Sequence, residues 1–251
     1  MNPVPEIVDR ETWRRRRDAL LVREKAQTRE GDAIAAARRR LPMIEVDAST
    51  PIIGARGAVT LLDAFEGRSQ LYASYHMWHT GRPAADQCEG CTFNTGHVLE
   101  LGYLHSRDVT FAVFCEGPFE EISRYRAFMG WEQPWYAVPE GSLERMAPGG
   151  HFGMKACYLR DGDRVFETYW TTGRGCETMG NSYQMLDMTV YGRQESWEDS
   201  PAGWTRRFDT KRGGNAFRLD GRPISQWSRI AAGRSDDLGT TGADNSGHHD
   251  H

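Results

Sequence analysis

Gln70-Leu71-Tyr72-Ala73-Ser74-Tyr75-His76-Met77-Trp78, then a loop carrying Gly81 and Pro83, then Cys88-Glu89-Gly90-Cys91-Thr92-Phe93, is the stretch that decides the fold. The first run, rich in aromatic residues, reads as a strand. The segment Thr92 to Ser106 carries Phe93, Val98, Leu99, Leu101 and Leu104 at spacings that predict a helix. The two cysteines therefore stand where a helix begins. Unpaired N–H groups and the helix dipole at such a start stabilise a thiolate, which lowers the pKa of Cys88 and makes it the attacking sulfur. Two intervening residues let Cys91 fold back and resolve a mixed disulfide. Glu89 opposes this, because an adjacent carboxylate disfavours a thiolate.

Downstream, Asp108-Val109-Thr110-Phe111-Ala112-Val113-Phe114-Cys115 is the strongest strand signal in the chain. Pro118 opens a helix through Met129, with Glu120 and Glu121 in its first turn, where the dipole favours anions. Phe152 to Leu159 and Arg164 to Trp170 flank Arg160-Asp161-Gly162-Asp163, an Asp-Gly hairpin signal, and residues 177 to 188 predict a last helix. Upstream, Met43 to Val46 and Ala58 to Phe65 read as strands. Residues 9 to 41, rich in Ala, Leu, Arg and Glu, predict helix capped by Asp9, split at Gly31 and ended by Pro42. A strand, a loop and a Cys-x-x-Cys opening a helix is the arrangement of a thioredoxin-like active site. The expected architecture is α/β: a thioredoxin-like three-layer fold, with a mixed central sheet, helices on both faces and an added N-terminal helical segment. Residues 1–42 form a helical extension packing on the core, 43–233 the thioredoxin-like domain, and 234–251 a disordered tail.

Composition narrows the classes. The 251 residues are 39% hydrophobic and 26% charged, which excludes intrinsic disorder and fibrous repeats for the bulk of the chain. With 31 basic and 35 acidic residues there is no global electrostatic case for nucleic acid or an anionic membrane. The Arg14–Arg17 and Arg38–Arg40 runs are interleaved with Glu and Asp and read as a solvated helix face. No stretch approaches the ~18 apolar residues of a spanning helix. The first residues lack the pattern of a secretory signal, so the chain reads as cytoplasmic. Five cysteines are too few for a disulfide scaffold. Cys115 and Cys157 read as buried hydrophobes, whereas Cys176, after Gly173-Arg174-Gly175, reads as more exposed and available as a second redox contact. The chain lacks a phosphate-binding G-x-x-x-x-G-K-[ST], a dinucleotide-binding G-x-G-x-x-G, a G-x-S-x-G and an H-E-x-x-H, and the Pro and Thr that precede a peroxidase cysteine.

Two competing readings use the same region. His76-x-x-His79, nine residues before Cys88, joins Cys88 and Cys91 to give two imidazoles and two thiolates, a donor set for Zn or, with Met77 near, for Cu. A metal there would hold the thiols reduced and block disulfide chemistry, whereas the redox reading requires no cofactor. The second is a non-catalytic binding protein using a cleft walled by Trp78, Phe93, Trp131 and Trp135, the same side chains that would contact a substrate in the redox reading. Partners are accordingly a thiol or disulfide substrate, protein or small molecule, with no nucleic acid and no membrane. The N-terminal helices offer a route to homo-oligomers. His97 reads as packing or surface.

The chain also resembles the bacterial DUF899 family of thioredoxin-like proteins, whose members are regarded as dithiol–disulfide oxidoreductases. The resemblance is carried by Arg38-Arg39-Arg40-Leu41-Pro42, Cys88-Glu89-Gly90-Cys91-Thr92-Phe93, Arg107 to Val113, and Met129-Gly130-Trp131-x-x-Pro134-Trp135-Tyr136. It continues through Val165-Phe166-x-Thr168-Tyr169 and Leu186-Asp187-Met188-Thr189 to Gly192-Arg193-Gln194-Glu195, so that it spans about residues 8 to 200. It implies a thioredoxin-like fold with the dithiol at Cys88 and Cys91. Two features depart from generic thioredoxins: Gly150-His151-Phe152-Gly153 stands where a cis-proline faces the dithiol, with Pro148 too early, and His76-Met77-Trp78-His79 has no counterpart.

Overall fold

The alternation of the dithiol strand organises the molecule. The structure, a computed structural model, describes residues 3–210 and 214–234. After helix α1 (Arg10–Arg38) come strands β1 (Ile44–Val46), β2 (Pro51–Gly54) and β3 (Gly57–Thr60), a 3-10 turn at Leu62–Phe65, and strand β4 (Gln70–His76). A 3-10 turn (Ala84–Asp86), helix α2 (Glu89–Gly96) and short helix α3 (Gly102–His105) lead to β5 (Val109–Cys115), α4 (Phe119–Met129), β6 (Trp135–Ala137) and α5 (Ser142–Met146). The hairpin β7 (Lys155–Asp161) and β8 (Arg164–Thr171) follows, then a 3-10 segment (Gly173–Met179), α6 (Asn181–Asp187), a small ribbon of β9 (Arg218–Leu219) and β10 (Arg222–Pro223), and α7 (Ile224–Ala231).

The main sheet has the order β1-β8-β7-β4-β5-β6-β2-β3. β4 runs parallel to β5, pairing Gln70 with Val109 through to His76 with Cys115, and antiparallel to β7, pairing Ser74 with Lys155. β5 and β6 are parallel, and the β7–β8 hairpin is antiparallel with a bulge at Cys157/Tyr158. β4, a crossover helix, parallel β5 and a returning antiparallel hairpin beside β4 is the thioredoxin topology. β1 extends it at one edge and the β2–β3 hairpin at the other.

Period-two alternation sends Leu71, Ala73 and Tyr75 to one face of the sheet. There they join Phe65, Phe114, Met146, Met154, Ala156 and Tyr158 in one core cluster, with the Tyr75 and Tyr158 hydroxyls 2.6 Å apart. The opposite face packs Phe111, Val113 and Cys115 beneath α4, whose Ile122, Tyr125, Phe128 and Met129 are buried. Helical cover thus lies on both faces, as the sequence predicts, but one face is covered by short pieces only.

Several local expectations are corrected. The N-terminal segment is one helix, not two, because Gly31 in a long run of Ala, Arg and Glu costs only about 1 kcal/mol relative to Ala. It also does not pack on the core: none of its residues is buried. Its contact with the sheet is the Arg38 guanidinium 5.0 Å over the Tyr169 ring. The apolar residues are too few among charged ones to form a stripe that could dock, and Trp13, Leu20, Val22 and Ile34 stay exposed. The helix expected over 92–106 is broken into α2 and α3, and Leu62–Phe65 is a turn of helix rather than strand. Of the tail expected from residue 234, Arg234 is described and donates to the Phe128 carbonyl; residues 235–251 lie outside the described residues.

Candidate functional site: a dithiol at the start of a helix

Cys88 is the N-cap residue of α2, and its sulfur accepts the Cys91 backbone N–H at 3.4 Å. The Cys88 carbonyl is held by the Thr92 N–H at 3.0 Å and the Thr92 hydroxyl at 2.8 Å, and that hydroxyl also lies 2.6 Å from the Tyr125 hydroxyl of α4. The loop before Cys88 is clipped by one side chain. Gln87 accepts from the His79 N–H at 3.0 Å and donates to the carbonyls of His79 at 2.9 Å and Arg82 at 3.0 Å. Glu121, drawn into the fold rather than left at the helix start, accepts from the Trp78 indole at 2.8 Å and the Gly81 N–H at 3.2 Å. The loop between β4 and α2 is therefore fixed at both ends, which presents the dithiol in one position.

The two sulfurs are unequal. Cys88 is half-buried and Cys91 is 4% exposed; all five cysteines are free thiols. The hydrogen bond from Cys91 brings Cys88 down to about 7, against burial and the Glu89 charge, which raise it. The same hydrogen bond, with burial, raises Cys91 well above the usual thiol range. Of the two, Cys88 is the one drawn toward the thiolate and Cys91 the one held as a thiol. The charge of Lys155 and a hydrogen bond from the Met77 backbone N–H act in the other direction on Cys91.

Lys155 was not visible as a site residue in the sequence. It is 1% exposed at the start of β7, and its Nζ has no hydrogen-bond partner among the described residues. Its register partner is Ser74, so it shares the face of the sheet under α2. Burial lowers its pKa, while Cys91, Cys176 and Cys88 raise it. The available signal was a single lysine between Met154 and Ala156 at the head of an apolar strand. Cys176, read from sequence as exposed, is 5% exposed and its thiol faces the Gly153 carbonyl at 3.7 Å; the 3-10 segment carries it back against β8 instead of out into solvent.

The metal donor set is not brought together. Among the described residues no three His, Cys, Asp or Glu side chains are grouped as a metal would need. His76 is wholly buried under the sheet, its ring 5.0 Å from Trp135, 6.1 Å from Tyr125 and 6.5 Å from Trp78. Burial, with the charge of Lys155, lowers its pKa to about 3, so the imidazole is neutral. His79 lies beyond the end of β4, on the clipped loop. The aromatic wall is likewise not a cleft. Trp78, Trp131 and Trp135 are 6%, 5% and 3% exposed and belong to the core with Tyr125. Phe93 is half-buried between Tyr183 at 4.6 Å and Phe217 at 5.3 Å. His97 packs as expected, bonded to the Phe93 carbonyl and the Ser182 hydroxyl, each at 2.6 Å.

Strand order, crossover and a Cys-x-x-Cys capping the helix after the central strand define a thioredoxin-like fold. The chain belongs to DUF899, described as a bacterial protein of unknown function, which matches residues 2–211. No curated protein matches it. Distant structural likenesses include a thioredoxin from Wuchereria bancrofti, 17% identical, with a TM-score of 0.36 over 55% of this chain and 90% of that one. Another is the peroxiredoxin Q of Xanthomonas campestris, 13% identical, with a TM-score of 0.36 over 57% of this chain and 96% of that one. Among the described residues no helix is long and apolar enough to cross a membrane.

Proposed function

We propose that the protein is a thiol–disulfide oxidoreductase in which Cys88 attacks and Cys91 resolves. What supports this reading is the asymmetry of the pair: Cys88, partly exposed at the helix N-cap, accepts the Cys91 backbone N–H at 3.4 Å, while Cys91 is 4% exposed. The Cys88 thiolate attacks one sulfur of a disulfide R–S–S–R, forming Cys88–S–S–R and releasing RS⁻, which takes up a proton. Cys91 then gives up its proton and attacks the Cys88 sulfur, forming the Cys88–Cys91 disulfide and releasing the second RS⁻. Two electrons pass from the dithiol to the substrate, with one proton from Cys91 and one from solvent completing the two RSH products, and an external thiol reductant returns the electrons. No metal or cofactor enters the reaction as written.

Loss of the Cys91 proton is the demanding step, because burial holds that thiol protonated. Lys155, without a hydrogen-bond partner among the described residues and on the sheet face under α2, supplies the positive charge that opposes this. Cys88→Ser is expected to abolish exchange with glutathione disulfide, and Cys91→Ser to accumulate a mixed disulfide visible by mass spectrometry. If mild oxidation gives no Cys88–Cys91 disulfide, the proposal is wrong.

A further inference from the structure

The C-terminal segment lies directly on the two residues between the cysteines, and it begins beyond the residues that match the family. Phe217 stacks against Gly90: a Cβ at position 90 would stand 3.3 Å from the ring, so glycine here permits the close approach. Arg218 forms an ion pair with Glu89 and donates to the Ala85 carbonyl at 3.0 Å. Gln226 of α7, wholly buried, donates to the carbonyls of Ala84 at 3.3 Å and Gln87 at 3.4 Å. The segment is thus fastened along the loop that delivers Cys88 and over the first turn of α2.

A disulfide within a folded protein brings its flanking chain with it, and that chain must lie across the surface beside the attacking sulfur. Here part of that surface is occupied. A low-molecular-weight disulfide needs room only around its two sulfurs, and Cys88 remains partly exposed to it. Arg218 also balances the Glu89 carboxylate, which would otherwise repel an approaching thiolate or a substrate bearing carboxylates. We propose that residues 214–234 restrict the dithiol to low-molecular-weight thiols and disulfides, with Phe217 and Arg218 as the specificity-determining residues. The inference rests on the redox reading above.

The test compares exchange of the full chain with two probes, glutathione disulfide and the interchain disulfides of insulin, at matched concentration and with a dithiol reductant in excess. The wild type is expected to favour glutathione disulfide. Arg218→Glu sets two carboxylates against each other and adds repulsion toward the carboxylates of glutathione disulfide; the ratio of the insulin rate to the glutathione rate is expected to rise about tenfold. The charge-swapped pair Glu89→Arg with Arg218→Glu is expected to bring the ratio of the two rates back toward that of the wild type, which a merely destabilised Arg218→Glu protein would not show. Phe217→Ala, with its thermal transition followed, gives the same reading if Arg218→Glu does not fold. Equal use of both probes by the wild type, or a ratio unmoved in the folded variants, overturns the selection while leaving the dithiol chemistry standing. No exchange with either probe, together with no Cys88–Cys91 disulfide, overturns both.

Discussion

Replacing Cys91 by Ala removes the largest influence holding the Cys88 pKa at about 7, the hydrogen bond from the Cys91 thiol, and leaves the weaker backbone N–H contact at 3.4 Å. A hydrogen bond to a charged group contributes about 1.5–3 kcal/mol, and a pKa unit is about 1.36 kcal/mol. Its loss therefore raises Cys88 by roughly one to two units. At pH 7 the thiolate fraction falls from about half to between ~1% and ~10%. The more basic thiolate is also the better nucleophile, with a Brønsted slope of about 0.4–0.5, so the net loss in alkylation rate is roughly two- to eightfold. The assay is the pH dependence of ultraviolet thiolate absorbance, paired with the iodoacetamide rate at Cys88. In the wild type both rise with pH through about 7; in Cys91→Ala the same rise is displaced to higher pH. The remaining thiols do not interfere: burial takes Cys157 up to about 11 and raises Cys115 and Cys176. An unchanged or lowered midpoint in Cys91→Ala would refute the hydrogen-bond account of the dithiol.

Three further outcomes are expected. His76 titrates at about 3 in the fold against 6.5 in the open chain, so it takes up a proton only on unfolding between these values. Its contribution to stability is complete above 6.5 and is lost as the pH falls toward 3; between pH 6.5 and 5 the loss is roughly 1.5 kcal/mol. His76→Phe removes it, and urea titrations at the two pH values read the difference. Gly117→Ala sets a Cβ onto the Trp78 indole, displacing it from Glu121; overpacking of this kind costs about 1–3 kcal/mol and lowers the melting temperature. Lys155→Met leaves the fold intact, because it replaces a buried amine that has no partner among the described residues with an apolar chain of similar length. It is expected to slow formation of the Cys88–Cys91 disulfide roughly three- to tenfold without changing attack by Cys88, as separated by rapid-quench kinetics.

The dithiol and its helix start were legible from spacing alone, because helix nucleation at Cys88 and the two-residue gap to Cys91 are local properties of the chain. So were β4, β5 and the β7–β8 hairpin, where aromatic and β-branched runs and an Asp-Gly turn act over a few residues. Residues beyond this local range were misread. Trp78, Trp131 and Trp135 form the kind of aromatic cluster that can line a groove or fill a core, and only the packing of α4 on β5 and β6 shows that they fill one. His76 and His79 have ligand spacing in the chain, but β4 ends between them, burying one ring beneath the sheet and leaving the other on a loop held by Gln87. Lys155 became a site residue through register, since pairing with Ser74 places it on the face that α2 covers. Phe217 and Arg218 lie more than 120 residues from the dithiol, in a stretch without periodicity, and no local signal connects them to Glu89 and Gly90. The sequence by itself determined the Cys-x-x-Cys pair, its place at a helix start and the strand–helix frame around it, because these depend on backbone preferences and neighbouring residues. The charge under Cys91 and the cover over Glu89 and Gly90 were decided only by the tertiary structure, because long-range contacts set which partner a buried or charged group meets, and the chain carries no periodic record of them.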